Sequence, residues 1–393
     1  MSKFSTMFYV VAAVITLQTI LMVLTNVGTP LSDSTPREKP RKVHLLIIST
    51  WRAGSSVVGQ FFNQHPDVFY LKEPAWHVWN AMPHNNAHVL HMAVRDLIRS
   101  IFTCDMSVLD VYIQNRSYVS NLFQWSSSRA LCLPPACNTF SRKKIVTEAN
   151  CQKYCAKSPF NKVEESCNAY SHIVLQEFRI FDLKVLYPLL KDPTLNVKIL
   201  HVVRDPRALA KSRRQLKFAL ELDNAIILNL NDRTVDDTGR EKVLREICRS
   251  QVDMYRTIND RPPPFLKDHY MLLRYDDLVR DTTRIAKQLY TFAGINPTDE
   301  SMTWIYKMTH GENLENPKPF IITPRDALHM SLKWKEELTL QEIISVQKIC
   351  KDFMEFFRYQ NIDSEDELND LDLETVLPIH KDVFNWHNDD ENE

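Results

Sequence analysis

The sequence predicts an α/β domain with a parallel β-sheet flanked by helices. Apolar runs of six and seven residues occur at Val43–Ile48 and Val197–Val203, and such runs are typical of strands buried on both faces of a parallel sheet. Each run is followed by turn residues and then by a helical pattern, and strands that alternate with helices favour parallel pairing. Ser171–Gln176 and Tyr270–Tyr275 complete a set of four predicted strands.

Helices are expected between these strands and after them. One begins near Ser55, a second at Pro206, and the others cover His88–Thr103, Phe181–Leu190, Asp281–Ala293 and Gln341–Phe357. Gly294 follows Asp281–Ala293 and is a typical signal for the end of a helix. Residues 223–240 are interpreted as a polar insertion, and residues 43–362 as one domain.

The N-terminus predicts a membrane anchor. Met7–Leu24 is an uncharged stretch of 18 residues, just long enough for a transmembrane helix. A cleaved signal peptide is the alternative, but its apolar region is usually shorter, and no A-x-A-like cleavage site follows. We therefore expect a cytoplasmic tail at 1–6, an uncleaved signal-anchor at 7–24, and a stem at 25–42. The rest of the chain would lie on the far side of the membrane.

The net charge of −1 hides an uneven distribution. Residues 363–393 contain twelve Asp and Glu but only one lysine, so the preceding part of the chain carries a net charge of +10. A basic body suits an anionic ligand. The acidic C-terminal tail, 363–393, is expected to be a solvated extension.

The cysteines indicate an oxidising compartment. Five of the eight lie within residues 132–167. The spacings C-x4-C and C-x3-C lack the C-x2-C or histidine partners that are usual for zinc, so disulfides are favoured, with their pairing left open. Asn115 begins an N-x-S sequon, which suits the same lumenal compartment.

Residues Ser49–Ser56 form a polar turn between the first strand and a helix. A strand, a tight turn and a helix N-terminus point backbone N–H groups at an anion. Arg52 would add a planar, permanently charged group suited to phosphate or sulfate. An ordinary strand–helix junction is the alternative. The motif G-x-x-x-x-G-K-[ST] is absent from the sequence, which argues against a kinase or an ATPase.

A second group of cations follows the strand Val197–Val203. Arg204 and Ser212 are eight residues apart, so the end of the strand and the second turn of the helix reach a common point. The alternative is a solvated basic helix face. Two anion sites at the ends of two parallel strands suggest a ligand with two separated phosphate groups. The cations of this segment are Arg204, Arg207, Lys211, Arg213 and Arg214.

Together the two segments resemble the sulfotransferases that use 3′-phosphoadenosine 5′-phosphosulfate (PAPS). The resemblance is closest to the Golgi carbohydrate 6-O-sulfotransferases and their N-acetylglucosamine branch. It covers about residues 43–360 through FNQHPDVFYLKEPAWHVW (62–79), HMAVRDLIRS (91–100), SRALC (128–132), YPLLKDP (187–193), RYDDL (274–278) and RDAL with Trp334. Ala53 departs from the usual R-S-G-S-S loop, and RYDDL from the usual RYEDL.

The resemblance implies a P-loop-like sulfotransferase fold and a set of PAPS-binding residues. The 5′-phosphosulfate loop would be Ser49, Thr50, Trp51, Arg52, Ala53, Gly54, Ser55 and Ser56. The 3′-phosphate segment would be Val202, Val203, Arg204, Asp205, Pro206, Arg207, Ala208, Leu209, Ala210 and Ser212. Within this segment Arg204 and Ser212 would hold the phosphate, whereas Asp205 and Arg207 would be structural.

The same resemblance implies in-line transfer of a sulfuryl group to a sugar hydroxyl. Arg52 would stabilise the leaving phosphate, and Glu73 would be the general base. His77 is an alternative base, although a packed structural role suits it better. Candidates for acceptor binding are Trp76, His77, Trp79, Glu177, Arg179, Arg325 and Asp326, for which core packing or ion pairing is the alternative. The expected partners are a glycan on a glycoprotein or proteoglycan and the Golgi membrane, with a homodimer possible and with neither a metal nor a nucleic acid.

The acceptor sugar has more than one interpretation. N-acetylglucosamine, sulfated at its 6-hydroxyl, follows from the branch that the motifs resemble. Galactose or N-acetylgalactosamine is the alternative within the same fold. A different class of function is a lumenal protein that binds PAPS or glycans without transfer, which only Ala53 favours.

Overall fold

The computed structural model describes residues 42–142, 145–230, 234–260, 262–312, 322–370 and 372–379, and Gln18 alone before them. Apart from Gln18, the expected anchor Met7–Leu24 lies outside these residues, as do the tail before it and the stem up to 41. Within these ranges no helix is long and apolar enough to cross a membrane.

The core of the domain is a parallel sheet of five strands in the order β2-β3-β1-β4-β5. The strands are β1 (Val43–Ile48), β2 (Val68–Lys72), β3 (His172–Glu177), β4 (Val197–Val203) and β5 (Tyr270–Arg274). The predicted α/β class is confirmed, and the four predicted strands are found within one residue of their expected ends. The fifth strand, β2, was missed.

Helices cover both faces of the sheet. They are α1 (Ser55–Asn63), α2 (Trp76–Ala81), α3 (Ala87–Phe102), α4 (Glu148–Cys155), α5 (Lys162–Ala169), α6 (Tyr187–Leu190), α7 (Pro206–Arg214), α8 (Glu221–Leu228), α9 (Asp237–Asn259), α10 (Tyr275–Arg280), α11 (Thr282–Ala293), α12 (Asp299–Thr309), α13 (Ala327–Leu332), α14 (Trp334–Glu337), α15 (Leu340–Ile349), α16 (Lys351–Phe356) and α17 (Glu365–Asn369). Helices α1 and α11 pack on one face of the sheet, and α3, α9 and α16 contribute to the apolar layer on the other.

Three helical predictions need correction. The expected helix Phe181–Leu190 is a 3₁₀ turn followed by the short α6. The expected helix Gln341–Phe357 is divided at Cys350 into α15 and α16. The expected insertion 223–240 contains most of α8 and the start of α9, whose buried face carries Val243, Ile247 and Val252.

The order of the strands decides where a ligand can bind. The chain leaves the central strand β1 for the edge strand β2, returns through β3, and then crosses to β4 on the other side of β1. In open parallel sheets, ligands bind beyond the carboxyl ends of the strands where the chain changes direction in this way. The loop after β1 and the start of α7 after β4 both lie at this edge.

All eight cysteines form disulfides, which confirms that prediction. The pairs are Cys104–Cys167, Cys132–Cys151, Cys137–Cys155 and Cys248–Cys350. The first three hold the segment between α3 and β3, which has little regular structure of its own. The fourth joins α9 to the junction of α15 and α16.

The acidic C-terminal segment is not simply solvated, as the sequence suggested. Its described part, 363–370 and 372–379, contains α17 and a bridge between Tyr359 and Val376. Arg274 at the end of β5 donates a hydrogen bond to the carbonyl oxygen of Leu377 at 2.8 Å. Thr375 and Val376 are buried. Residues 380–393 lie outside the described residues.

Candidate active site

The loop after β1 has a backbone shape that only a glycine permits at one position. Gly54 has a φ of 85°, and a Cβ there would lie 2.3 Å from the Cδ2 atom of Tyr275. Arg52 has a φ of 78°, which is uncommon for a residue with a side chain. No side chain caps the start of α1. The N-terminal N–H groups of that helix therefore face the loop without a capping side chain, as a site for an anion requires.

Several loop residues hold the loop in place. The Ser49 hydroxyl donates to the carbonyl oxygen of Val202 at 2.9 Å, and the Ser55 hydroxyl accepts a hydrogen bond from Gln176 at 3.3 Å. Ala53 is fully buried. Thr50 is buried as well, and its hydroxyl has no hydrogen-bond partner in the described part of the chain. A hydroxyl buried in this way is costly unless a ligand or water pairs with it.

Arg52, Arg204 and Ser212 come together at this edge, as their spacing predicts. The Nε atom of Arg52 donates to the Ser212 hydroxyl at 2.9 Å. Arg204 donates from Nη1 to the carbonyl oxygen of Arg52 at 3.1 Å, and its guanidinium lies 5.0 Å from the centre of the Tyr275 ring. Its Nε atom is buried without a partner among the described residues.

The charge of this group is strongly positive. Burial, followed by the nearby charges of Arg204 and Arg325, lowers the pKa of Arg52 to about 10. Arg325, a predicted acceptor-binding residue, is thus near enough to Arg52 for the two charges to interact. Asp326 accepts a hydrogen bond from the backbone N–H of His329 and caps α13. Guanidinium groups this close are stabilised by an anion between them.

Asp205 and Arg207 support the start of α7, as expected. The Asp205 carboxylate accepts hydrogen bonds from the Arg207 backbone N–H and side chain. Arg207 is fully buried and lies 4.1 Å from the ring of Trp334. The remaining residues of the predicted 3′-phosphate segment pack as support for the site: Val202, Val203, Pro206, Ala208 and Leu209 are buried, and Ala210 is partly buried.

The carboxylate of Glu73 lies in a separate ionic cluster at the ends of β2 and β3. Arg179 is at the centre of this cluster and is 3.2 Å from Glu73, 3.1 Å from Glu177 and 3.0 Å from Asp223. The Oε1 atom of Glu73 has no hydrogen-bond partner in the described ranges, whereas Oε2 is held by Arg179. Arg179 therefore fixes one oxygen of Glu73 and leaves the other available.

Burial dominates the titration of this cluster. It raises the pKa of Glu73, and the opposing charges of Arg179 and Lys72 do not cancel it. Burial likewise raises the pKa of Asp223. For Arg179, burial acts to lower the pKa, but Asp223, Glu177 and Glu73 together raise it above its ordinary value. A raised pKa makes Glu73 a stronger proton acceptor.

Glu177 and Arg179 lie behind Glu73 and are not exposed to an acceptor. Glu177 has no exposed surface, and its two oxygens accept hydrogen bonds from the backbone N–H groups of Ala75 and Phe178. Arg179 is 1% exposed and lies 5.4 Å from the ring of Trp51. Their predicted role in acceptor binding does not fit this burial, and the alternative of ion pairing does.

The aromatic residues and the histidine after Glu73 have different environments. His77 is buried, and its Nε2 atom accepts a hydrogen bond from the N–H of Phe123 at 2.9 Å. Burial and then Arg179 lower its pKa to about 4. His77 is therefore neutral near pH 7 and held by this hydrogen bond, which suits the packed structural role. Trp76 is partly exposed and stacks on Phe123 at 4.3 Å, whereas Trp79 is fully buried.

Sequence reasoning missed three residues of the site. Asp223 lies on α8, within the stretch interpreted as an insertion. Tyr275 fills the space beside Gly54. Lys72, the last residue of β2, is buried next to Glu73. Asp223 has no recognisable motif, whereas Tyr275 lies within the RYDDL motif and Lys72 ends an apolar run, and both were signals that could have been used.

Two further expectations concern glycosylation and metals. Asn115 is exposed, and its side chain accepts a hydrogen bond from Ser117 of the same sequon. Within the described ranges no group of three or more His, Cys, Asp or Glu residues is placed to hold a metal ion.

Similarity to known proteins identifies the family of this chain. A model of the sulfotransferase domain matches residues 42–358. Mouse carbohydrate sulfotransferase 5 is 48% identical over 354 residues, which cover 90% of each chain. Human carbohydrate sulfotransferase 6 is 46% identical over 377 residues, which cover 96% of this chain and 95% of the human protein. A solved sulfotransferase domain from the curacin biosynthetic pathway is 15% identical, covers 82% of this chain and 99% of its own, and has a TM-score of 0.46. The chain therefore belongs to the sulfotransferase domain family and, within it, to the carbohydrate sulfotransferases.

Proposed function

We propose that the protein transfers a sulfuryl group from PAPS to the 6-hydroxyl of N-acetylglucosamine in glycans of glycoproteins or keratan-type chains. The observation that carries this proposal is the pair of charged groups at one edge of the sheet. The cations Arg52 and Arg204 lie beyond β1 and β4, and Glu73 lies beyond β2, held by Arg179.

The cation group suits the donor. PAPS supplies an activated sulfuryl group on its 5′-phosphate and carries a second phosphate at the 3′-position. Arg52 and the N–H groups of residues 49–56 would hold the 5′-phosphosulfate, and Arg204 and Ser212 the 3′-phosphate. The buried Thr50 hydroxyl and Arg204 Nε, both without partners in the described part of the chain, fit a site completed by an anionic ligand.

Glu73 suits the role of base. Its free oxygen would accept the proton of the acceptor hydroxyl while that hydroxyl oxygen forms a bond to sulfur. The bond between sulfur and the bridging oxygen breaks, and its electron pair stays on the departing phosphate. Arg52 would stabilise the charge that develops there. By analogy with phosphoryl transfer, the rest of the catalysis is positioning.

The acceptor and the location are also proposals. N-acetylglucosamine is favoured by the motifs of that branch of the family. A Golgi location, with an N-terminal anchor and a lumenal catalytic domain, is supported by the apolar stretch Met7–Leu24, the four disulfides and the exposed sequon at Asn115.

The test is sulfate transfer from labelled PAPS by the full-length protein in detergent, with glycans that end in N-acetylglucosamine, galactose or N-acetylgalactosamine. We expect transfer to the 6-position of N-acetylglucosamine and a loss of about 100-fold or more in Glu73→Gln. Glu241→Gln, on the exposed side of α9, is the matched control. Transfer only to galactose or N-acetylgalactosamine would identify that sugar as the acceptor in place of N-acetylglucosamine. PAPS binding without transfer to any of the three sugars would favour the non-catalytic alternative.

A further inference from the structure

Arg213, near the end of α7, is a cation to which the reaction described above assigns no role. Its Nη2 atom donates to the side-chain oxygen of Asn224 at 2.6 Å. Its Nη1 atom is fully buried and has no hydrogen-bond partner among the described residues. A buried polar group without a partner is costly. The unmatched atom is an N–H donor on a cation, so the group that best completes it is an anionic oxygen.

Arg213 lies beside the cations that would bind the donor. The preceding residue, Ser212, accepts a hydrogen bond from Arg52 at 2.9 Å. The guanidinium of Arg213 is 5.9 Å from the ring of Trp51, which belongs to the loop after β1. The Nε1 atom of Trp51 is also buried without a partner in the described ranges. Two neighbouring side chains at this loop thus each have an N–H group without an acceptor, as expected where an oxygen-rich ligand completes a site.

The same guanidinium borders the ionic cluster around Arg179. Asn224, which holds it, directly follows Asp223 on α8, and Asp223 is 3.0 Å from Arg179. Arg179 is in turn 3.2 Å from Glu73, the proposed base. Arg213 is therefore connected through short contacts both to the cations beyond β1 and to the carboxylates beyond β2.

The charge of Arg213 is kept and is not compensated by its partner. Burial lowers the pKa of Arg213 to about 10, the charge of Asp223 opposes this effect, and that of Arg52 adds to it. The side chain thus stays charged near pH 7. The amide of Asn224 is neutral, so it orients the guanidinium and leaves its charge available to a ligand.

We propose that Arg213 binds the oxygens of the sulfuryl group during its transfer, an inference that rests on the proposed function. In-line transfer places this group between the leaving phosphate, which Arg52 would stabilise, and the acceptor hydroxyl, whose proton Glu73 would accept. Arg213 lies between these two residues in the network of contacts. A cation held in a buried site stabilises charge on the sulfuryl oxygens more strongly than one in water. Arg213 exchanges no proton.

The first test separates the sulfuryl group from the rest of the donor. Arg213→Met keeps an apolar stem and removes the charge, so we expect kcat to fall about 100-fold with little change in the KM for the glycan. The Kd for 3′,5′-adenosine bisphosphate, which lacks the sulfuryl group, should stay within about threefold of the wild-type value. Arg213→Lys should recover part of the loss in kcat. The control, Arg249→Met, removes an exposed cation of α9 that pairs with Glu246 and Asp253, and should leave kcat unchanged.

The second test compensates the charge of Arg213 without removing the side chain. Asn224→Asp keeps the shape of the residue and the hydrogen bond from Nη2, and it supplies a carboxylate as a partner. We expect kcat to fall about 10-fold or more while the Tm stays within about 2 °C of the wild-type value or rises. A purely structural role of Arg213 predicts an unchanged kcat in this variant, so the test holds even if Arg213→Met does not fold.

The outcomes are distinct. An unchanged kcat in Asn224→Asp or in folded Arg213→Met overturns the proposal. An equal loss of affinity for 3′,5′-adenosine bisphosphate would assign Arg213 to the phosphates instead, and a rise in the glycan KM alone would assign it to the acceptor. If the wild-type protein transfers no sulfate to any sugar, the proposed function itself fails, whereas failure of the present inference leaves wild-type transfer intact.

Discussion

Replacing Arg179 by methionine tests whether one guanidinium holds the acidic half of the site together. Arg179 is 3.0–3.2 Å from Glu73, Glu177 and Asp223, and all four side chains are at most 10% exposed. Removing one partner of a buried ion pair costs about 3–5 kcal/mol. Because three carboxylates lose their partner here, we expect about 5 kcal/mol, or a Tm lower by roughly 10 °C. Methionine preserves part of the packing against Trp51.

The loss should depend on pH in a direction that the structure fixes. Burial already raises the pKa of Glu73 and Asp223 above their ordinary values, and Arg179 is the strongest opposing influence on both. Without Arg179 the folded variant takes up protons that the unfolded chain does not, so its stability falls as the pH rises above about 4.5. The Tm difference between Arg179→Met and wild type should therefore be larger at pH 8 than at pH 5.

Thermal unfolding at the two pH values is the assay, and Arg207→Met is the matched control. Arg207 is as deeply buried as Arg179 but pairs with a single carboxylate, that of Asp205, and with the neutral oxygens of Gln347 and Gln360. Its loss should lower the Tm with a weaker dependence on pH. A loss below about 1 kcal/mol in Arg179→Met, or equal losses at both pH values, would refute the reasoning.

Two further predictions concern the cation half of the site. Gly54→Ala places a Cβ 2.3 Å from the ring of Tyr275 at a φ of 85°, so we expect a loss of about 2 kcal/mol in unfolding free energy and weaker binding of 3′,5′-adenosine bisphosphate. Gly54→Ala combined with Tyr275→Ala should bind better than Gly54→Ala alone, and no such recovery would contradict the steric argument. Arg52→Lys keeps one charge but loses the planar donor fork, so calorimetry should show about tenfold weaker binding of the same ligand. An unchanged Kd would exclude a bidentate contact.

The fold could be predicted where the apolar pattern is continuous. Strands β1 and β4 are apolar runs of this kind and were found at their expected bounds. Strand β2 is also fully buried. Its apolar run is short, however, and ends in a lysine (VFYLK), so the pattern alone does not distinguish it from a loop. The helix α9 was missed because its N-terminal turn is polar and its buried face becomes apparent only from Val243 onward.

The site residues could be predicted where they lie close together in the sequence, at the end of a strand. Arg52, Arg204 and Ser212 belong to two strand–helix junctions, and parallel strands bring such junctions to one edge. The Arg179 cluster could not be derived in this way. Its members come from β2, β3 and α8, and Asp223 is 44 residues from Arg179 along the chain. Nothing in the local sequence marks an aspartate on a short helix as the third carboxylate of a buried group.

The Glu73 carboxylate is held through one oxygen by Arg179, so the acidic half of the site has a paired cation of its own. Trp51 contacts one guanidinium group from each charged half of the site. Its ring is 5.4 Å from the guanidinium of Arg179 and 5.9 Å from that of Arg213, and Arg213 is close enough to Arg52 for their charges to interact. An indole ring attracts both cations through its face without neutralising either. The structure thus places guanidinium groups beyond β1 and β4 and three carboxylates around Arg179 near the ends of β2 and β3, an arrangement that fits the proposed transfer of a sulfuryl group to a hydroxyl whose proton Glu73 accepts.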